Sequence, residues 1–293
     1  MKVIRAKSAG FCFGVERAIG IARKCANCGQ NKVYTDGPLI HNRQMMERLE
    51  REGIVEIGDY QSSKDLQSEL SPSGKDASGN FIVVRAHGVS PERRQYLKNL
   101  GLEFKDATCP DVGRIAGVIK IHAKKGYTTI IVGDPKHPEV IGLLGYAEGR
   151  GFVIKSNADI DALPDIKGDI CMVSQSTMFT DDYKNIAEYF KKRFPQVKVI
   201  DTICGATKER QGDVNVLASE GAQAIIVIGG KHSANTVKLA IMAKRTGLPC
   251  LHIETIKELD IDAIKKFSVV GVTAGASTPN FLIDEVCNFL QQL

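Results

Sequence analysis

Three times in 293 residues the chain runs through the same short passage: a strand-like stretch, a turn carrying one cysteine, then a helical stretch. The clearest copy is Asp106–Arg114, DATCPDVGR. Pro110 suits a first helical position, where the N–H it lacks has no partner to lose. Val112, Ile115, Ala116 and Ile119 then fall on one helical face, and Gly126 supplies a stop. The first copy, SAGFCFGVER, places Val15, Ala18, Ile19 and Ala22 in the same spacing after Cys12. The third, DTICGATKER, puts Cys204 after Val197, Val199 and Ile200. Each cysteine has an arginine a turn and a half further on: Arg17, Arg114 and Arg210. The near-equal intervals between positions 12, 109 and 204 indicate three related lobes. A thiol at such a turn faces free N–H groups and a positive helix end, which favours thiolate, the form that binds metal.

Strand-like runs alternate with helix-like runs throughout, which predicts an α/β fold with largely parallel sheets. The clearest strands are Phe81–Arg85, Thr128–Val132, Ala224–Ile228 and Val269–Thr273. The expected organisation is a first lobe over 1–108, a second over 109–203 and a third over 204–293, around a pseudo-threefold axis. Within the first lobe, the Ser-, Gly-, Asp- and Lys-rich stretch 61–80 reads as a mobile surface insertion.

Downstream of each cysteine, at a near-constant remove, lies another polar turn: His41, His137 and Ser233. A further turn follows in each lobe, carrying His87, then Ser176 and Thr177, then Ser277. Imidazoles at strand ends beside hydroxyls and helix N-termini form an anion pocket suited to a phosphate or diphosphate. Ser233, Asn235 and Ser277 add donors, although each histidine taken alone would serve as a cap of its own turn. In His137-Pro138-Glu139, the proline sets His137 at a cap and Glu139 in the first turn. There the carboxylate can act as a proton donor, or merely complement the helix end. Three cysteines from three lobes can hold an iron–sulfur cluster, leaving one iron open for Lewis-acid or redox chemistry. Cys25 and Cys28 form a C-x-x-C at a helix end with no second pair at zinc spacing, so they read as structural. Cys171, Cys250, Cys287, His122 and His252 read as core or structural residues.

No apolar run reaches the ~18 residues that would span a bilayer, so no membrane insertion is expected. The N-terminus has no apolar signal core, which points to the cytoplasm and to reduced thiols. A net charge of +5 suits an anionic small substrate or an acidic partner. Without tryptophan or a basic run interleaved with aromatics, nucleic acid is not expected as a partner.

The three cysteines, together with HN at 41–42, AHG at 86–88, HPEV at 137–140, SQST at 174–177, SANT at 233–236 and TAGASTP at 273–279, closely resemble the 4-hydroxy-3-methylbut-2-enyl diphosphate reductase family. The resemblance runs from Cys12 through Ser277 with every motif in order. It implies three α/β lobes in a trefoil around a central iron–sulfur cluster, one [4Fe–4S] with Cys12, Cys109 and Cys204 as its ligands. It further implies a diphosphate held by His41, His87, His137, Ser233, Asn235 and Ser277, and protonation by Glu139 working with Ser176. The implied reaction is reductive dehydroxylation of the allylic diphosphate to isopentenyl and dimethylallyl diphosphate by two electrons and two protons. Ferredoxin or flavodoxin is the implied class of electron donor, and a monomer is expected. Two positions depart from the family pattern. Ala234 stands where a second serine-like donor is usual. Ser176 replaces a threonine, losing the β-methyl that restricts the rotamer, so that Thr177 is a candidate to share its role. Competing readings are a non-catalytic iron–sulfur electron carrier, which would need a fourth cysteine, and a zinc-dependent phosphoester hydrolase with mixed Cys/His ligation.

Overall fold

The structure is a computed structural model that describes residues 1–28, 32–58, 66, 70 and 79–293. In chain order the elements are β1 (Lys2–Arg5), α1 (Phe13–Ala26), β2 (Val33–Asp36), α2 (Arg43–Arg51), β3 (Ile54–Ile57), β4 (Phe81–Val84), α3 (Pro91–Lys98), β5 (Glu103–Asp106) and α4 (Pro110–Lys124). Then come β6 (Thr128–Val132), α5 (Pro138–Leu144), β7 (Gly151–Ile154), α6 (Asn157–Asp161), β8 (Ile170–Ser174), α7 (Thr180–Arg193) and β9 (Val197–Val199). The last third holds α8 (Gly205–Ser219), β10 (Ala224–Ile228), α9 (Ala234–Arg245), β11 (Cys250–Ile253), α10 (Ile261–Ile264), β12 (Val269–Ala274) and α11 (Asn280–Gln292). Two compact units result: one of residues 1–16, 40–47 and 204–293, the other of 17–39 and 48–203.

The first unit contains a parallel sheet ordered β11-β10-β12-β1. Its central strand AIIVI is buried on both faces, as a parallel sheet covered by helices requires. Alternate side chains divide the work. Ile226 and Ile228 pack with Leu282, Ile283, Val286 and Leu290 of α11. Ile225 and Val227 pack with Val214 and Leu217 of α8 and Leu239, Ala240 and Ala243 of α9.

The second unit contains two parallel sheets, β3-β2-β4-β5 and β7-β6-β8-β9. In the latter, Ile131, Cys171 and Val173 face Ile115 and Ile119 of α4 and Val140 and Leu143 of α5, while Ile130, Val132 and Met172 face Tyr183, Ile186 and Phe190 of α7. In the former, Ile82 and Val84 pack with Leu97 of α3. The stretch 61–80, expected as an insertion, lies mostly outside the described residues. Leu66 within it is fully buried in that same core.

All three sheets share one strand order: the first strand of the repeat is central, the second lies outside it, and the third and fourth follow on the other side. In the first unit the fourth strand is β1, from the opposite end of the sequence. Lys2–Arg5 pair with Val269–Val272 of β12. By hydrogen bonding, then, the residues that open the chain belong with the C-terminal third, where the even division of the sequence put them in the first lobe. Each cysteine turn follows a fourth strand, β1, β5 or β9. These are edge strands, and β5 alternates half-buried and exposed residues, so it lacks the apolar run of a central strand.

Candidate functional site

The expected site residues lie where parallel sheets gather ligands, at the carboxyl ends of strands. His41, His87, His137, Ser176, Ser233 and Ser277 follow β2, β4, β6, β8, β10 and β12, the two central strands of each sheet.

In the first unit, Cys12 stands immediately before α1, and its N–H donates to the Ala276 carbonyl at 3.1 Å. Cys204 is the N-cap of α8 with extended backbone (φ −70°, ψ 150°), and its side chain caps no helix N–H. Its Sγ instead lies 3.0 Å from the Thr207 hydroxyl, one helical turn on. Ser277 Oγ donates to the His41 carbonyl at 3.0 Å, which ties the β12 turn to the His41 turn. Ser233 is buried at the N-cap of α9 without using its hydroxyl as a cap. The Asn235 amide nitrogen in the first turn of α9 is buried without a hydrogen-bond partner. Ala234, where the resemblance leads one to expect a further donor, is the first residue of this helix.

In the second unit, Cys109 is the N-cap of α4 (φ −58°, ψ 135°), with Pro110 at the first helical position as the sequence predicts. The Cys109 N–H donates to the Ala86 carbonyl at 2.9 Å, which joins this turn to that of His87. Gly88 makes the approach possible. Its φ is +71°, and a Cβ there would sit 3.1 Å from Thr108 Cγ2. His137 caps α5 by accepting the Glu139 N–H at Nδ1, 3.2 Å away. Nδ1 is therefore a lone pair, and a neutral His137 ring carries its proton on Nε2. The rings of His87 and His137 meet edge to face at 5.5 Å. Glu139 is 1% exposed. Its Oε1 accepts the Ser176 N–H and its Oε2 the Ser176 hydroxyl, both at 2.6 Å. The geometry pairs Ser176 with Glu139, whereas Thr177 Oγ1 accepts from Gln175 Nε2 at 3.1 Å.

The remaining thiols are chemically different. Burial pushes Cys25, Cys250 and Cys287 above the ordinary thiol range and Cys171 up to about 11, so the fold keeps them neutral. Cys25 is buried, and Cys28 is exposed with its Sγ 3.1 Å from the Lys24 carbonyl. Both structural histidines behave as expected: His122 Nδ1 bonds the Val118 carbonyl at 2.8 Å, and His252 Nε2 the Gly229 carbonyl at 2.9 Å. Cys12, Cys109 and Cys204 are partly buried and stand at helix starts, where a cysteine sulfur is placed to serve as a ligand to a soft metal. Thr207, beside the Cys204 sulfur, escaped the sequence reading. Its signal is a hydroxyl three residues past the cysteine, on the same helical face.

A sequence model described as LytB protein matches residues 3–291. The chain belongs to the LytB family. Over its full length it is 63% identical to the whole of a 4-hydroxy-3-methylbut-2-enyl diphosphate reductase from Opitutus terrae, and 37% identical to the whole of one from Alkaliphilus oremlandii. Among solved structures, the E-1-hydroxy-2-methyl-but-2-enyl-4-diphosphate reductase from Plasmodium falciparum superposes with a TM-score of 0.88 at 28% identity, over 98% of this chain and 87% of that one. A second, an (E)-4-hydroxy-3-methyl-but-2-enyl diphosphate reductase described as the terminal enzyme of the non-mevalonate pathway, superposes over the whole of both chains at 36% identity with a TM-score of 0.71. In this LytB chain no described helix is long and apolar enough to cross a membrane.

Proposed function

We propose that the chain reduces 4-hydroxy-3-methylbut-2-enyl diphosphate to isopentenyl and dimethylallyl diphosphate. Two electrons and two protons remove the allylic hydroxyl as water. The observation that carries this reading is the Glu139–Ser176 pair. A buried carboxylate with two 2.6 Å bonds to one serine sits two residues past a histidine cap. A proton can lie on either Glu139 Oε2 or Ser176 Oγ without a change of heavy-atom position, which suits a short relay.

Cys12, Cys109 and Cys204 are the proposed ligands of one [4Fe–4S] cluster. Bound there, the cluster supplies electrons and, at its iron without a protein ligand, Lewis acidity. The neutral thiols Cys25, Cys171, Cys250 and Cys287 are unsuited to that role. The diphosphate is assigned to His41, His87, His137, Ser233, Asn235 and Ser277. A His137 ring protonated at Nε2 offers a donor to a phosphoryl oxygen, and the Asn235 amide nitrogen has a hydrogen bond to give. Glu139 belongs near the hydroxyl end of the substrate, since a carboxylate beside a diphosphate is repelled unless protonated. Thr177, bonded to Gln175, is assigned to positioning of the Ser176 turn. An acidic carrier such as ferredoxin or flavodoxin fits a chain of net charge +5, and the reading is of a cytoplasmic monomer.

The test is direct. Anaerobically purified protein, given this substrate and a reduced viologen, should release both five-carbon diphosphates, identified by mass spectrometry. Consumption without those products, or release of inorganic diphosphate instead, would refute the reading.

A further inference from the structure

The arginine that follows each cysteine in the sequence acquires a use in the structure. Arg210, on α8 behind Cys204, is 3% exposed. Its Nη2 donates to the Gly10 carbonyl at 2.6 Å and its Nη1 to the Ala206 carbonyl at 2.9 Å. Gly10 lies two residues ahead of Cys12, with φ +115°, a conformation that L side chains rarely adopt. Arg17, on α1 behind Cys12, donates from Nη1 to the Thr108 carbonyl at 3.1 Å, and its Nη2 is 3.5 Å from the Asp106 carbonyl. Thr108 immediately precedes Cys109. In both cases the helix that starts at one cysteine sends a guanidinium to the backbone just ahead of a different cysteine. Arg114, the third in the series, is exposed and makes no hydrogen bond to a cysteine turn among the described residues.

We propose that Arg17 and Arg210 are positioning residues for metal ligation: Arg210 sets the turn that presents Cys12, and Arg17 the turn that presents Cys109. The inference rests on the cluster reading above. Burying a guanidinium is costly unless hydrogen bonds and nearby negative charge offset it. Arg210 spends its η nitrogens on carbonyls and its Nε is buried without a hydrogen-bond partner; burial works against its charge, and the groups that can offset this are the carboxylates of Glu209 and Asp213 and the sulfurs of Cys12 and Cys204 when ionised. Such a cation does two things. It fixes where the Cys12 sulfur points, because a carbonyl held from outside cannot let its turn rotate. It also favours the form of the site with one more electron, because added negative charge is attracted to it. Arg17 is half-exposed and does chiefly the first.

The test uses cluster-loaded protein in four forms: wild type, Arg17→Met, Arg210→Met and, as control, Arg114→Met. Each is exposed anaerobically to a chelator, iron release is followed optically, and freed thiols are trapped by iodoacetamide and located by peptide mass spectrometry. Losing a charge-assisted hydrogen bond should speed release about tenfold in the first two variants and leave the control unchanged. The order of trapping is the decisive readout. Cys12 should be alkylated first in Arg210→Met and Cys109 first in Arg17→Met. The midpoint potential of Arg210→Met should fall, since its cation is gone. Arg210→Lys, which keeps the charge but has no forked pair of donors, should recover the potential and only part of the retention. If Arg210→Met does not fold, the lysine variant carries the same comparison. Unchanged release, or alkylation of the three cysteines in the wild-type order in Arg17→Met and in either Arg210 variant, overturns the proposal. Wild-type protein that binds no iron would instead refute the cluster reading itself, and it is scored before any variant.

Discussion

Replacing Glu139 by glutamine separates proton delivery from everything else at this site. Oε1 of Glu139 receives a backbone N–H and Oε2 a hydroxyl, each at 2.6 Å, in surroundings that leave the residue 1% exposed. A glutamine fits this arrangement in one orientation. Its carbonyl oxygen must face the Ser176 N–H, and its amide then points at Ser176 Oγ, which can turn to accept. Both contacts survive as neutral hydrogen bonds, each worth about 1 kcal/mol less than its charge-assisted counterpart. The fold and the histidine cap should therefore persist, since the cap uses the backbone N–H of residue 139. What disappears is the acid, and general acid–base groups contribute typically ~10²–10⁴-fold in rate. Steady-state turnover of Glu139→Gln at saturating substrate and reductant, normalised to bound iron, should fall by that factor while substrate affinity stays within a few-fold of wild type. Turnover within about threefold of wild type would show that Glu139 is only a helix-end charge, and that the protons arrive by another route.

Ser176→Ala removes the hydroxyl but keeps the backbone N–H bond to Glu139. It should cost less turnover than Glu139→Gln, and a larger loss in the same assay would make the serine the proton source. Gly88→Ala forces a side chain into a +71° backbone against Thr108, so calorimetry should register a loss of about 1–2 kcal/mol; an unchanged melting temperature would contradict the close approach of the two turns. Cys171 has its pKa raised by burial from 9.0 to about 11, so the fold prefers the neutral thiol. That contribution is complete below pH ~9, where the unfolded thiol is still neutral, and is lost as pH rises through about 11. Urea titrations at pH 8 and 10.5 should show a smaller alkaline loss for Cys171→Val than for wild type, and equal losses would place the thiol in a wetter site.

What was legible in the sequence was local. Pro110 and Gly126 bracket α4 to within two residues, because one lacks an N–H and the other takes φ +86°. The four apolar runs became β4, β6, β10 and β12 because central strands of parallel sheets are buried on both faces. The edge strands were harder. β5 and β9 carry exposed charged residues, and β1 pairs with residues at the other end of the chain, a partnership that nothing within KVIR encodes. The pairing of His137 with Glu139 followed from Pro138. Ser176 as partner of that carboxylate came from the resemblance, which left Thr177 as a candidate to share the role; nothing in SQST alone ranks one hydroxyl over the other, and it is the fold that brings Ser176 Oγ to Glu139 Oε2. The recurring arginines were visible as a pattern, but the Thr108 carbonyl that Arg17 reaches and the Gly10 carbonyl that Arg210 reaches lie 91 and 200 residues away in sequence.

The central claim, that three cysteines at three equivalent turns hold one iron–sulfur cluster, is tested most directly by iron and sulfide analysis of anaerobically purified cysteine variants. Cys12→Ser, Cys109→Ser and Cys204→Ser should each lose the cluster or most of its occupancy, because a hydroxyl is a hard, weakly acidic ligand for iron. The double variant Cys25→Ser/Cys28→Ser should match wild type. Retention of full iron and sulfide by Cys109→Ser, or its loss from the Cys25/Cys28 double variant, would contradict the account.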